Sequence, residues 1–207
     1  MPDLTSIKAA TDGCTAQELL RFLIKDRFPG KTVVTASLRS SSVVVLKMVA
    51  DIDPDTPVVF CRRGTPFPES KKFHDTIVSL LGLTNVTVTP GHEPQTQRGD
   101  YDHCEQMLVE HHDRPGRLRE IAHLNTTLAP YECWISAVYH VHKPDDARHR
   151  VDAEGNLYRI DPLAGWSRED VREFMGTHSL PHHARAYRDE IRMPRGDDIP
   201  PVETFNV

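Results

Sequence analysis

The chain has 207 residues, four cysteines and a formal net charge of −5, so it suits one domain with a substantial core. The negative balance argues against general nucleic-acid binding, and no stretch approaches the roughly 20 apolar residues that span a membrane. The first residues lack an apolar signal-peptide core, so we expect a cytoplasmic protein.

The first half of the chain predicts alternating helices and strands. A helix is expected over 15–28, with Thr15 as its N-cap and Pro29-Gly30 as its stop. Strands are predicted over 32–36, 57–61 and 85–89, and helices over 42–51 and 68–82. This alternation indicates a parallel sheet with helices on both faces.

The second half is more polar and its pattern is weaker. Residues 90–102 are predicted to be a loop, 103–124 to be helical with a break at Pro115-Gly116, and 142–156 to be a mobile loop. Strands are expected over 133–141 and 157–160, and a helix over 167–176 with Ser167 as its N-cap. We expect one domain over 1–190, followed by a tail, 191–207, that is disordered or bound to a partner.

The most informative stretch is Lys31–Ser70. A β-branched strand leads into the turn Ser37-Leu38-Arg39-Ser40-Ser41-Ser42, which opens an apolar helix. A second strand then ends at Cys61, and Arg62-Arg63 begin the polar loop that follows. This order is typical of a phosphate-binding crossover, because the turn places backbone N–H groups at the positive end of a helix.

Four segments in this order resemble a known family. They are ELLRFLIKDRFPGKTVVTAS, GTPFPES, CWISA and YRIDPLAGWS followed by EDV. They are similar to segments of the phosphoadenosine phosphosulfate (PAPS) reductases, within the wider ATP pyrophosphatase group. The resemblance implies an adenine nucleotide alpha-hydrolase-like fold, α/β, with a parallel twisted sheet of about five strands and helices on both faces. It also implies an adenine nucleotide or sulfonucleotide as ligand.

The chain departs from the family's pattern at several functional positions. Leu38 and Arg39 stand where the family's pyrophosphate loop has glycine, and Arg62-Arg63 replace an Asp-Thr pair. An arginine pair of the family becomes Tyr139-His140. Residues 148–207 contain no cysteine, although the family's nucleophile lies in a C-terminal Glu-Cys-Gly-Leu-His motif. The Cys-Cys and Cys-x-x-Cys ligands of an iron–sulfur cluster are also missing, so we expect no such cluster and no permanently bound cofactor.

These observations define the predicted site. The predicted nucleotide- or phosphate-binding residues are Ser37, Leu38, Arg39, Ser40, Ser41, Ser42, Arg62, Arg63, Gly64 and Glu69, and the predicted catalytic residues are Arg39, Cys61 and His140. Some of these residues have a plainer alternative. The arginines would be solvated surface residues, Cys61 a buried structural thiol, and Glu69 a helix cap rather than a ribose contact.

The remaining histidines leave two further questions open. His140 and His142 share one face of a predicted strand, but no recognised ligand spacing surrounds them, so no metal site is predicted. His182 and His183 follow Leu180-Pro181, where the resemblance places residues near the substrate mouth, and are equally explained as plain loop residues.

Three functions follow from the resemblance and its departures. The first is a divergent PAPS-reductase-like protein that binds an adenine nucleotide or sulfonucleotide in sulfur metabolism or sulfur transfer. The second is a binding or scaffold protein that kept the fold and lost the reaction. The third is an ATP-dependent adenylating or sulfur-transfer enzyme. The partners expected are the nucleotide, a thiol donor protein and a second copy of the chain as a homodimer, with no membrane and no nucleic acid.

Overall fold

The computed structural model describes residues 4–61, 65–89, 124–137 and 150–184. The predicted loop over 90–102, the predicted helix over 103–124 apart from Leu124, and the 191–207 tail lie outside these residues.

The described helices include a short first one that the sequence did not suggest. Helix α1 spans Leu4–Ala10, α2 spans Ala16–Arg21 and continues as a π-helical segment, Phe22–Arg27, α3 spans Ser40–Ile52, α4 spans Pro68–Leu81 and α5 spans Arg168–Thr177. Residues 124–128 are also helical. Thr15 and Ser167 are the N-caps of α2 and α5, as predicted, and each forms a capping box.

Six strands form one sheet. They are β1 (Thr32–Ala36), β2 (Val58–Cys61), β3 (Val86–Thr89), β4 (Cys133–Ser136), β5 (Val151–Glu154) and β6 (Leu157–Ile160), in the order β3-β2-β1-β4-β6-β5. All neighbours are parallel except β5, which runs antiparallel to β6. The predicted α/β fold is therefore confirmed, with one more strand than expected.

The core lies on both faces of this sheet. On one face, Val34, Ala36 and Ile135 pack in a large apolar cluster with side chains from α2, α3, α4 and α5. On the other face, Val33, Val59 and Trp134 pack against Leu124 and Leu128 of the short helical segment. Strand β1 is buried over its whole length, as its β-branched sequence predicts.

The loop predicted over 142–156 is wrong for its second part. Residues 151–154 form β5, and Gly155-Asn156 make a two-residue turn into β6, with Gly155 at φ 61°. Gly-Asn is a hairpin-forming pair because its first residue adopts positive φ without a steric penalty. The charged side chains around this pair hid the hairpin, although Val151 is buried.

Candidate functional site

The candidate site lies where the chain leaves the middle of the sheet. β1 has β2 on one side and β4 on the other, so the connections that follow β1 and β3 leave in opposite directions. In open α/β sheets, ligands bind outside the carboxyl ends of the strands at such a reversal. Here the reversal lies between β1 and β4, where the turn before α3 meets Ala137.

Buried hydroxyl groups connect this turn to β4. The backbone N–H of Arg39 donates to Ser37 Oγ at 3.2 Å, and Ser37 Oγ lies 3.0 Å from Ser42 Oγ. Ser42 Oγ accepts from the Ser37 N–H at 3.1 Å and donates to the Ala137 carbonyl at 3.4 Å. Ser41 Oγ donates to the same carbonyl at 3.3 Å. Each hydroxyl donates once along this chain, so the hydrogen bonds are mutually consistent.

The inward hydroxyls divide the predicted loop into an inner and an outer part. Ser37, Ser41 and Ser42 are buried, and Leu38 is 3 % exposed and belongs to the main core. Arg39 and Ser40 are half-buried and form the outer part of the turn. The hydroxyl chain and the buried Leu38 thus hold a turn that the resemblance expects glycines to shape.

The first turn of α3 has an open N-terminus. Arg39 occupies the N-cap in an extended conformation, φ −77° and ψ 156°, and its side chain makes no capping hydrogen bond. The first N–H groups of a helix have no partner within the helix and point outward along its axis. Backbone donors, the Ser40 hydroxyl and the Arg39 guanidinium therefore share one end of α3, a combination that suits an anion.

The segment after α5 returns to this edge. Ser40 Oγ lies 3.4 Å from His182 Nδ1, a contact between residues 142 apart in the chain. His183 is 5 % exposed and packs edge-on against Phe73 of α4, with ring centroids 5.1 Å apart. The sequence singled out both histidines but gave no signal for these partners, because the contacts join distant parts of the chain.

Helix α4 begins beside the same edge, after β2. Its N-cap, Phe67, makes no side-chain capping hydrogen bond, and Pro68 occupies the first turn. Glu69 is exposed in that turn, where a carboxylate is favoured by the helix dipole. This placement is compatible with both alternatives raised for Glu69.

The second face of the sheet carries polar groups that sequence reasoning missed. Trp134 Nε1 donates to Thr35 Oγ1 at 2.7 Å, and Arg159 donates to Asp161 at 3.1 Å. Thr35, Ser136 and Asp161 are each buried near the carboxyl ends of β1, β4 and β6. The sequence could have indicated these residues, since each is a polar residue at the end of a strand whose centre is apolar.

The thiol of Cys133 does not supply a nucleophile at this edge. Burial raises the pKa of the Cys133 thiol to about 12, which keeps it protonated at neutral pH, and Cys133 starts β4 at the opposite edge of the sheet. Cys61 ends β2 at the carboxyl edge, the position predicted for a reactive thiol.

Several predicted site residues cannot be placed. Arg62, Arg63, Gly64 and His140 lie outside the described residues, as do His142 and Cys104. Within the described ranges, no group of three or more His, Cys, Asp or Glu side chains is arranged to hold a metal ion. In the same part of the chain, no helix combines the length and the apolarity that crossing a membrane requires.

A family model decides the classification. The model of the phosphoadenosine phosphosulfate reductase domain matches residues 31–188, which include β1 to β6 and the turn before α3. The chain belongs to this family.

Relatives of modest identity agree with the assignment. The chain is 26 % identical over 185 residues to a phosphoadenosine 5'-phosphosulfate reductase of Alkalilimnicola ehrlichii, covering 87 % of this chain and 75 % of the relative. It is 28 % identical over 164 residues to an adenosine 5'-phosphosulfate reductase of Mesorhizobium japonicum, covering 79 % and 64 %. Both sulfonucleotide specificities therefore occur among its relatives.

Solved structures agree on the fold. PAPS reductase from Candida auris, crystallised as a phosphate complex, superposes with a TM-score of 0.65 at 14 % identity, covering 93 % of both chains. Yeast FAD synthetase in complex with FAD gives a TM-score of 0.55 at 13 % identity, covering 88 % of this chain and 64 % of the other. At these identities the likeness shows the shared α/β fold alone.

Proposed function

We propose that this protein binds an adenine sulfonucleotide, PAPS or adenylyl sulfate, at the carboxyl edge of β1 and acts in sulfur assimilation or sulfur transfer. The observation that carries the proposal is the family match over residues 31–188, together with reductases of both sulfonucleotides among the relatives.

The geometry of the turn supports a specific division of labour. Arg39 and Ser40 contact the phosphate or sulfate oxygens, aided by the backbone N–H groups that open α3. Ser37 and Ser42 act from the inside, since their hydroxyls hold the turn against Ala137. Arg62, Arg63, Gly64 and Glu69 flank the ligand from the loop between β2 and α4, as the resemblance implies.

If the protein is catalytic, the residues that would stabilise charge are easier to identify in this chain than the nucleophile. Arg39, with His140, stabilises the negative charge that develops on the nucleotide phosphate as a thiolate attacks the sulfur and the S–O bond to that phosphate breaks, which leaves an S-sulfonated thiol. A second thiol then displaces sulfite from this adduct and forms a disulfide. The attacking thiol comes from Cys61 or from a thiol donor protein, because Cys133 is protonated and lies at the other edge.

The sequence has no Cys-Cys or Cys-x-x-Cys pair, so we expect the purified protein to contain no iron–sulfur cluster. Iron analysis and absorbance near 400 nm, roughly the region where such clusters absorb, would check this expectation.

A calorimetric titration with PAPS, adenylyl sulfate and ATP tests the proposal. Binding of either sulfonucleotide in preference to ATP is the expected result. If neither sulfonucleotide binds, the proposed function is wrong. If a sulfonucleotide binds, sulfite release in the presence of a reduced thioredoxin-type donor would establish a reductase. Pyrophosphate release from ATP would instead support an adenylating enzyme.

A second function is favoured by the same turn. The protein would bind the nucleotide without turning it over, because the family's glycines are replaced by a buried Leu38 and an Arg39, and residues 148–207 hold no cysteine. Tight sulfonucleotide binding with no sulfite release from any thiol donor would identify this binding protein.

A further inference from the structure

We propose that residues 180–183 act as a strap that holds the outer part of the turn before α3 in its anion-binding arrangement, with His183 and Phe73 as positioning residues. This inference rests on the proposed function and adds to it the means by which the site is kept ordered. Its starting observation is that the segment after α5 contacts two other helices, at Ser40 of α3 and at Phe73 of α4.

The strap has a buried anchor at each end. Leu180 is 7 % exposed in the main core, and its N–H donates to the Met175 carbonyl of α5 at 2.9 Å. His183 is 5 % exposed, and its ring packs edge-on against Phe73, with ring centroids 5.1 Å apart. Pro181 lies between the two anchors, and its ring fixes the φ angle at that position. The strap is therefore stiff and is attached to both α5 and α4.

The exposed middle of the strap lies beside the first residue of α3. His182 Nδ1 is 3.4 Å from Ser40 Oγ, and Ser40 follows the N-cap Arg39. Helix α3 contacts both α4 and α5, so the strap passes from one of these neighbours to the other at the N-terminal end of α3. The hydroxyls of Ser41 and Ser42 hold the inner part of the turn, and the strap supports its outer part.

The contact between Phe73 and His183 sets the position of His182, because His182 and His183 are adjacent in the chain. Phe73 is half-buried and packs against the main core, so its ring gives the strap a fixed surface. Loss of this ring contact loosens the strap beside His182 and lets the side chains of Ser40 and Arg39 sample more conformations. A ligand must then order these side chains itself, and ordering one flexible side chain weakens binding about two- to tenfold.

Calorimetric titration with adenylyl sulfate at one pH tests the strap. Phe73→Leu removes the aromatic ring on α4, and His183→Ala removes the ring on the strap. Each variant should bind adenylyl sulfate about fivefold more weakly than the wild type. The double variant should bind no more weakly than either single variant, because both substitutions break the same contact. A purely structural role would lower the unfolding midpoint without producing this coupling in affinity.

A second phenylalanine–histidine pair supplies matched controls. Phe174 is half-buried in α5 and stacks on His178 at the C-cap of that helix, with ring centroids 4.0 Å apart. Phe174→Leu should lower the unfolding midpoint in urea about as much as Phe73→Leu, because each removes a half-buried ring. Phe174→Leu and His178→Ala should both keep the affinity of the wild type for adenylyl sulfate.

Three results would overturn the strap and leave the proposed function standing. They are unchanged affinity in Phe73→Leu and His183→Ala, an additive loss in the double variant, and an equal loss of affinity in Phe174→Leu. If His183→Ala does not fold, the comparison of Phe73→Leu with Phe174→Leu still decides the question. If the wild type binds neither adenylyl sulfate nor PAPS, the proposed function and this inference fall together.

Discussion

The helices of this protein begin in two different ways. Among the four α-helices whose N-caps are described, α2 and α5 start with complete capping boxes, Thr15 with Glu18 and Ser167 with Asp170. Helices α3 and α4 start with Arg39 and Phe67, and neither side chain caps its helix. The uncapped helices are the two that follow β1 and β2 at the carboxyl edge.

The difference separates helix ends that are closed by a capping box from helix ends whose N-cap side chain makes no capping hydrogen bond, and we propose that the latter face the ligand. A capping box uses two side chains to satisfy backbone donors that the helix leaves without partners. At α3, Ser41 and Ser42 instead donate to the carbonyl of Ala137, directly after β4, so these hydroxyls stabilise the turn from its inner side. The predictions below test this separation.

The largest effect is expected inside the turn. Ser42→Ala removes a buried hydroxyl that serves both the Ser37 N–H and the Ala137 carbonyl. Because a buried donor then loses its partner, the free energy of unfolding should fall by about 2 kcal/mol, measured by urea denaturation. Ser79→Ala, at an exposed position of α4, is the control and should change stability by less than about 0.5 kcal/mol. Equal stability of the two variants would mean that the hydroxyl chain does not hold the turn.

A smaller effect, on binding rather than stability, is expected at the outer part. Arg39→Ala should weaken sulfonucleotide binding about tenfold, the value of one hydrogen bond to a charged group on a half-exposed residue, without lowering the unfolding midpoint. Arg172→Ala is the control, because Arg172 is an exposed arginine of α5 paired with Glu169. A loss of affinity that is the same in both variants would indicate a general charge effect and no contact by Arg39.

A substitution at a capped helix should lower the stability and leave the affinity unchanged, which is the reverse of the effect expected for Arg39→Ala. Ser167→Ala removes the N-cap hydroxyl of α5 and should cost about 1 kcal/mol of unfolding free energy, with sulfonucleotide affinity unchanged. Denaturation and calorimetry on the same preparation measure both quantities. A variant that keeps its stability but loses affinity would reverse the assignment of α5 as a structural helix.

The smallest effect is expected in the pH dependence of stability under acidic conditions. Hydrogen bonds from the Thr15 N–H and hydroxyl lower the pKa of Glu18 below its ordinary value of 4.5, and Ser167 lowers the pKa of Asp170 below 3.8 in the same way. Groups with a depressed pKa in the folded state add stability above the ordinary value, and that contribution disappears as the pH falls through the folded value. Stability should therefore fall less steeply below pH 4.5 in Glu18→Gln than in the wild type, as denaturation at several acidic pH values would reveal. Parallel curves would contradict this role of Glu18.

The sequence predicted the parts of this structure that depend on local patterns. The buried strand 32–36, the caps at Thr15 and Ser167 and the order of strands and helices all follow from residue types along the chain. The hydrogen bond from Ser42 to the Ala137 carbonyl and the contact of His182 with Ser40 do not, because these pairs are 95 and 142 residues apart in the chain. The β5–β6 hairpin was missed for another reason, since its Gly-Asn turn sits among charged residues.

A structure of the protein with bound adenylyl sulfate tests the central claim most directly. The account predicts sulfate or phosphate oxygens within about 3 Å of Ser40 Oγ and the Arg39 guanidinium, with the hydroxyls of Ser41 and Ser42 still bonded to the Ala137 carbonyl. A ligand bonded instead to the hydroxyls of Ser37 and Ser42, with the connection to Ala137 broken, would contradict the division of this turn into an inner and an outer part.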